Sequence, residues 1–309
     1  MKFDLHFHTT LSDGGQTPEA AVQIAKDRGL EFLACTDHDL VNTEVPGFAR
    51  QMGIQTVQGV ELSSSDYGNH AKAAHLTCYS REFQGRIHDI LDGVQQARCT
   101  KISLQVDKLR ESGFEIEKDA FFAYWQAFGA SLSNLNNGHL REYLFQNPRN
   151  HEIVQGLMGS AFDKNTFIKR ALSKTGDFAH LGSIDNLPAY EPSVELCGEL
   201  ARENSAVLSI AHPNHTFRDI EEFQALVPSY VERGVNALEI HLSTSPEWIQ
   251  ILLETRKRFD LLLTFGSDCH FHPNDREKHG MIGSLNPHLD ETFIDTEFKR
   301  FARALECAV

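Results

Sequence analysis

The chain has 309 residues, of which 41% are hydrophobic and 23% charged, and it carries a formal charge of −14 with His neutral. That length suits one barrel-sized domain of roughly 250 residues with an insertion, and the apolar share is enough for a large core. The acidic balance excludes broad binding to duplex nucleic acid, which needs a basic surface, but it allows a small anionic substrate at a locally positive pocket.

No apolar run approaches the roughly 20 residues of a membrane span, and Met1–His6 lacks the charged-then-apolar layout of a secretory leader. A cytoplasmic protein without membrane contact is expected. Cys35, Cys78, Cys99, Cys197, Cys269 and Cys307 are scattered, with no C-x-x-C spacing, and are expected as reduced thiols. The 16 histidines are the unusual feature, because several lie beside acidic residues.

Lys2–Phe7 predicts the first strand. Thr17-Pro18-Glu19 supplies an N-cap, a first-turn proline and an acidic first turn, opening a helix to about Arg28 that Gly29 stops. Phe32–Thr36 predicts the second strand, and a helix through Phe48 to Met52 follows. Ile54–Val60 and Ala74–Tyr79 predict the third and fourth strands. After a long interruption, Ala206–Ala211, Val235–His241 and Leu261–Gly266 predict the last three, with helices over Val194–Arg202, Ile220–Arg233 and Pro246–Lys257. Such alternation predicts an α/β fold with a parallel sheet or barrel. The interruption contains helix-like segments at Ile87–Ser112, Asp119–Phe128, Gly138–Phe145 and Thr166–Lys174, and no β alternation of any length. The expected organisation is a barrel domain from residues 1–84 and 193–309, with a mostly helical insertion at 85–192.

The residues suited to chemistry recur at strand ends. His6 and His8, one residue apart on an extended segment, point to the same side and can share an ion. Asp13 lies in the turn Ser12-Asp13-Gly14. His38 follows the second strand, Glu61 ends the third, and His75 begins the fourth. His212 ends the fifth, and Asp268 and His270 end the seventh. Each alone is a weak signal. Jointly they are not, since the C-terminal strand ends of a parallel barrel open on one face. Six imidazoles and three carboxylates are too many for one ion and suit two or three divalent ions, such as Mn, Fe or Zn. Cys269, between two candidates on an extended segment, is expected to point away from them. Asp37 and Asp39 are expected either to orient imidazoles or to cap the following helix.

The run H-F-H-T-T-L-S-D-G at His6–Gly14 and T-P at Thr17-Pro18 resemble the PHP (polymerase and histidinol phosphatase) family. So do T-D-H at Thr36–His38, G-V-E at Gly59–Glu61, A-H-P at Ala211–Pro213 and S-D-C-H at Ser267–His270. The resemblance implies a distorted (β/α)7 TIM-like barrel with three metal positions. These would be His6, His8, Glu61 and Asp268; Glu61, His75 and His212; and Asp13, His38 and His270. It gives Asp13, His38, Asp268 and His270 a catalytic as well as a ligating role. His75 competes with nearby His70 for its place, and His212 is favoured over His215 by its Ala-His-Pro setting. The insertion resembles the branch containing nucleotide phosphatases and 5′-to-3′ oligonucleotide exonucleases, where basic residues of its first helix meet substrate phosphate. Arg98 and Lys101 stand at that place.

The expected activity is hydrolysis of small phosphomonoesters, nucleoside 5′-monophosphates or 3′,5′-bisphosphates, by a hydroxide bridging two ions. The alternatives are 5′-to-3′ trimming of short single-stranded oligonucleotides, hydrolysis of histidinol phosphate, and a non-catalytic metal-binding module. His215 and His241 are expected to contact substrate or protonate the leaving group. No G-x-S-x-G elbow or P-loop is present, which disfavours a serine hydrolase or an NTPase.

Overall fold

A computed structural model of the chain describes residues 1–65, 74–159, 164–184, 187, 190–271 and 279–306; His70 and Cys307 lie outside these. It divides into two compact units, Met1–Asp92 with Glu191–Val309, and Gly93–Tyr190.

In the first unit the apolar runs form two sheets. Strands β1 (Phe3–Asp4), β2 (Phe32–Leu33) and β3 (Gln55–Thr56) are parallel and lie in that order. Strands β4 (Gln58–Ser64), β5 (Ala74–Ser80), β6 (Val207–Ile210), β7 (Ala237–His241) and β8 (Leu262–Gly266) form the other sheet, also in chain order. The sheets are bonded at both borders. Beyond β2, the Glu61 N–H of β4 donates to Asp37 O at 3.3 Å and the Asp39 N–H donates to Glu61 O at 2.9 Å. Beside β8, Leu5 N donates to Phe265 O at 3.2 Å, Asp268 N to His6 O at 2.8 Å, and His8 N to Cys269 O at 3.0 Å.

The expectation of an all-parallel sheet is corrected at β5, which runs antiparallel to both β4 and β6. Only residues 65–73 separate β4 from β5, too few for the helical crossover that a parallel neighbour requires. The consequence is functional. The start of β5 lies level with the end of β4, with Ser63 opposite His75 and Ser64 opposite Ala74.

The helices of this unit include α1 (Pro18–Asp27) and α2 (Glu44–Gln51), and α3 (Arg86–Glu111) begins in it. Thr17 caps α1 by accepting from Ala20 N. Phe7, Val22, Leu33, Val45, Ile54 and Cys269 form a core under α1 and α2, so the Cys269 side chain is buried among apolar groups.

The second unit contains the rest of α3, with α4 (Lys118–Phe128), α5 (Asn137–Leu144), α6 (Pro148–Met158) and a short π-helical turn at Ile168–Leu172. Its core gathers Ile102, Val106, Leu109, Phe121, Leu140, Val154 and Phe167. No strand occurs among its described residues.

The first unit resumes with α7 (Val194–Glu203), α8 (Pro213–Thr216), α9 (Ile220–Glu232), α10 (Pro246–Phe259) and α11 (Glu291–Ala304). Helix α11 is an addition to the elements expected from the sequence. Asp290 caps it, and Ile294, Phe298, Phe301 and Ala302 form an apolar stripe at helical spacing. Phe298 stacks on Phe3 at 4.2 Å between ring centroids, and Phe301 meets Tyr79 edge-on at 5.2 Å. Tyr79 in turn donates its hydroxyl proton to Leu5 O at 2.9 Å. A fully buried phenylalanine contributes about 1.5–3 kcal/mol by removing its surface from water, so α11 anchors the strand that carries His6 and His8.

Candidate metal centre

The strands deliver the candidate side chains to one place because side chains alternate across an extended chain. Leu5 and Phe7 are fully buried in apolar cores, and His6 and His8 therefore take the other side. His38, beyond β2, pairs with Glu61 inside β4 in an isolated parallel bridge. His75 opens β5, His212 follows β6, and Asp268 and His270 follow β8.

Glu61 is the hub. Its Oε1 lies 3.0 Å from both His75 Nδ1 and His212 Nε2. Its Oε2 lies 3.4 Å from His6 Nε2, 3.2 Å from His8 Nε2 and 3.2 Å from His38 Nδ1. Asp268 Oδ1 stands 3.4 Å from His6 Nε2, 3.2 Å from His8 Nε2 and 3.6 Å from His270 Nδ1. Asp13 lies 3.7 Å from His8 Nδ1, 3.6 Å from His38 Nε2 and 3.4 Å from His270 Nε2.

These separations fit a metal site. Ligands about 2.1 Å from an ion stand about 3.0 Å apart along an octahedral edge and about 3.4 Å apart along a tetrahedral one. His6 Nε2 and His8 Nε2, 3.2 Å apart, have the same spacing.

The imidazoles are also wired for coordination. The His6 Nδ1–H donates to Glu239 Oε1 at 2.8 Å. Ser12 donates its proton to Asp37, so its oxygen accepts from His8 Nδ1–H at 3.4 Å. Thr216 donates to Ala211 O and accepts from His212 Nδ1–H at 3.4 Å. The His270 Nδ1–H donates to Asp268 O at 2.8 Å. In their neutral form all four rings thereby turn a bare Nε2 toward the carboxylates, the tautomer that metal-binding histidines need.

Electrostatics follow from burial against charge. Burial alone would depress the basicity of His6 and His8. The carboxylates around them overcome it, raising His6 well above its ordinary value and His8 to about 10. Despite burial, imidazoles hold three carboxylates well below their usual range: His38, His270 and His8 act on Asp13, His38, His75, His6 and His212 on Glu61, and His6, His270, His279 and His8 on Asp268. Burial, with His8 and His75 nearby, pushes His38 down to about 4.

A pocket of about 220 Å³ is lined by His38, Glu61, His75, His212, His215, Asp268, His270 and His279. His215 is exposed on its wall and lies 2.6 Å from Ser243 Oγ through Nε2. His241 is placed differently from expectation, since it is fully buried and both ring nitrogens are used. Its Nε2–H donates to Ser267 O at 3.2 Å, and its Nδ1 accepts from Ser243 Oγ at 2.9 Å. Burial lowers it to about 4.

Arg98 and Lys101 both lie on α3 within the helical unit. Arg98 is buried there, with its guanidinium on the Asn134 side chain.

Neither of the two aspartates beside His38 supplies the cap of the following helix. Asp37 accepts from Thr9, Ser12, Cys35 and Asn42, and so reaches His8 only through Ser12. Asp39 accepts from Ser63 N at 2.8 Å. The cap of α2 comes instead from Asn42, whose Oδ1 accepts from Glu44 N and Val45 N.

Two residues of the centre escape sequence reasoning. Glu239, fully buried in β7, holds His6 and accepts from His212 N at 2.6 Å. His279 lies 2.8 Å from Asp268 Oδ2 through Nδ1. The one signal for Glu239 is that it is a lone carboxylate in an apolar strand, two residues before His241.

Six imidazoles and three carboxylates meeting at one end of an α/β sheet have the donor set and spacing of a metal centre. The chain belongs to the PHP domain family, whose profile matches residues 4–172. It is 26% identical over 270 residues to a phosphoribosyl 1,2-cyclic phosphate 1,2-diphosphodiesterase of Eggerthella lenta, covering 86% of this chain and 93% of that protein. It is 25% identical over 274 residues to a 5′-3′ exoribonuclease of Haemophilus influenzae, covering 87% and 90%. In fold it is similar to a structure described as a putative metal-dependent phosphoesterase from Bifidobacterium adolescentis. The TM-score is 0.71 at 21% identity, over 98% of this chain and 96% of that one. The chain is thus a hydrolase of phosphoester bonds. No helix among the described residues is long and apolar enough to cross a membrane.

Proposed function

We propose that this chain removes phosphate from small phosphomonoesters, nucleoside 5′-monophosphates or 3′,5′-bisphosphates, at a centre of two or three divalent ions, Mn, Fe or Zn. The ions would sit at the mouth of a distorted (β/α)7 barrel made by joining the two sheets at their bonded borders. The observation that carries the reading is the convergence of four Nδ1-tethered imidazoles, through Nε2, on Glu61, Asp268 and Asp13 at 3.0–3.4 Å.

His6, His8, Glu61 and Asp268 would hold one ion, Glu61, His75 and His212 a second, and Asp13, His38 and His270 a third. Bound divalent ions supply a lowered water pKa, from about 15.7 toward about 7, and neutralise charge on phosphoryl oxygens. The chain's own contribution is to keep the ligand atoms fixed before substrate arrives, because every tethered ring already has its acceptor. The pocket of about 220 Å³ has room for a phosphoryl group and little else, so the remainder of a substrate extends out past exposed His215.

A second reading is 5′-to-3′ trimming of short oligonucleotides, supported by the near full-length similarity to an exoribonuclease. The two are separated by one panel after loading with Mn, Fe or Zn. It contains a nucleoside 5′-monophosphate, a 3′,5′-bisphosphate, histidinol phosphate, a cyclic phosphodiester and a short 5′-phosphorylated oligonucleotide. Faster phosphate release from the bisphosphate than nucleotide release from the oligonucleotide supports the first reading, and the reverse order supports the second. No hydrolysis of any member under any metal overturns both.

A further inference from the structure

Glu239 has no partner among the nine candidate ligands except His6 and His212, and it holds each in a different way. One carboxylate oxygen accepts the His6 Nδ1–H at 2.8 Å, and the other accepts the backbone N–H of His212 at 2.6 Å. The carboxylate is fully buried. His212 sits at φ +31°, a backbone region that side chains other than glycine rarely adopt, at the junction of β6 and α8. Gly266 leaves the room for this arrangement, since a Cβ there would stand 3.0 Å from Glu239 Oε1 and 2.2 Å from His6 Cβ.

We infer that Glu239 is a positioning residue that sets the tautomer of His6 and seats His212, and so couples two metal positions that share Glu61. The inference rests on the metal-dependent reading above. Its physical content lies in the polarity of the two bonds. A backbone N–H can only donate, so one oxygen of residue 239 is always claimed by His212. With a carboxylate the second atom is also an acceptor, and His6 must present Nδ1–H, leaving Nε2 bare toward Glu61 and Asp268. In Glu239→Gln the second atom is an NH₂ donor. His6 Nδ1 must then accept, and the ring proton moves to Nε2, the atom that faces the ions. The substitution keeps shape and volume but inverts the tautomer, which separates positioning from packing.

The test compares wild type, Glu239→Gln and Glu239→Ala, each stripped of metal and titrated with Zn²⁺ by calorimetry. Proton–nitrogen correlation spectra of the Zn-loaded proteins then report the ring N–H protons. The expected result is that Glu239→Gln keeps wild-type circular dichroism and melting within a few degrees. It binds the His6-linked ion roughly tenfold to a hundredfold more weakly and lacks the His6 Nδ1–H resonance seen in wild type. Glu239→Ala should be at least as impaired in binding. Wild-type Zn²⁺ affinity in Glu239→Gln overturns the inference while leaving the metal-dependent reading intact. Unfolding of Glu239→Gln with wild-type affinity in the remaining folded fraction also overturns it, since that is a purely structural role. Wild type that binds no Zn²⁺, Mn²⁺ or Fe²⁺ overturns the metal-dependent reading and this inference with it.

Discussion

His75 Nδ1 lies 3.0 Å from Glu61 Oε1 although it opens its strand, because β5 runs antiparallel to β4. The same oxygen faces His212, and its twin faces His6, His8 and His38, so five imidazoles converge on one carboxylate. Glu61→Gln should therefore release more than one ion per chain, not a single one, and lower phosphoester hydrolysis by at least roughly 10²-fold. Metal content after gel filtration, measured alongside turnover, checks this. A variant with full metal content and full turnover would remove Glu61 from the centre.

His75 and His8 should behave differently. The His75 side chain is 43% exposed and the His8 side chain is fully buried. His75→Ala should fold with stability within about 1 kcal/mol of wild type and lose one ion position. His8→Ala removes a ring that faces Glu61 and Asp268 through one nitrogen and Asp13 through the other. It should lose metal and activity together while circular dichroism is retained. Equal metal content in the two variants would contradict the proposed division of ligands.

The charge pattern sets a pH dependence whose sign can be worked out. In the metal-free chain, carboxylates raise His8 from 6.5 to about 10 against the pull of burial. A folded-state value above the unfolded one means that the protonated ring stabilises the fold. That contribution is complete below about 6.5 and is lost as pH rises through about 10. Metal binding must displace the proton, so apparent metal affinity should climb over the same window, by up to roughly tenfold per pH unit for each proton released. Melting of metal-free protein should fall from pH 6.5 toward pH 10 while melting of the loaded protein does not. Calorimetry at pH 8 in buffers of different protonation enthalpy counts the protons. Zero release at that pH would show that His8 is already neutral.

Most of this centre is legible in the sequence because local rules and chemistry coincide. His6 and His8 alternate with Leu5 and Phe7, and strand-end His and Asp residues are polar groups at the close of apolar runs, so pattern alone marks them. What is not legible depends on pairing between distant segments. The direction of β5 is decided by the short connection 65–73 and not by the composition of Ala74–Ser80. Asp37 sits next to His38 in sequence, yet its oxygens are claimed by Thr9 and Ser12 from a distant segment and by Asn42 from its own loop. Glu239 escapes notice because a single acid in Ala237–His241 carries no spacing signal. Only the position of β7 between β6 and β8 brings it under His6. The same holds for His241, whose strand-end position resembles that of a ligand while its bonds to Ser267 and Ser243 make it a buried link.

The seat of His6 can be tested without removing a polar atom. A methyl group on residue 266 would come within 2.2 Å of His6 Cβ and 2.8 Å of His6 N, closer than real Cβ contacts occur. The neighbours cannot yield easily, because Leu5 N and Asp268 N tie the two chain segments together on either side of this point. Gly266→Ala should cost about 1–3 kcal/mol by overpacking and weaken metal binding by moving the His6 ring. Gly47, in the interior of α2 with nothing within 4 Å of the place a methyl group would take, is the matched control. Gly47→Ala should be neutral or more stable by about 0.5–1 kcal/mol, from helix propensity alone. Thermal melts and Zn²⁺ titrations of the two variants make the comparison. If Gly266→Ala melts and binds metal like wild type, the strand border beside His6 is softer than its hydrogen bonds imply, and the rigid placement of that imidazole is wrong.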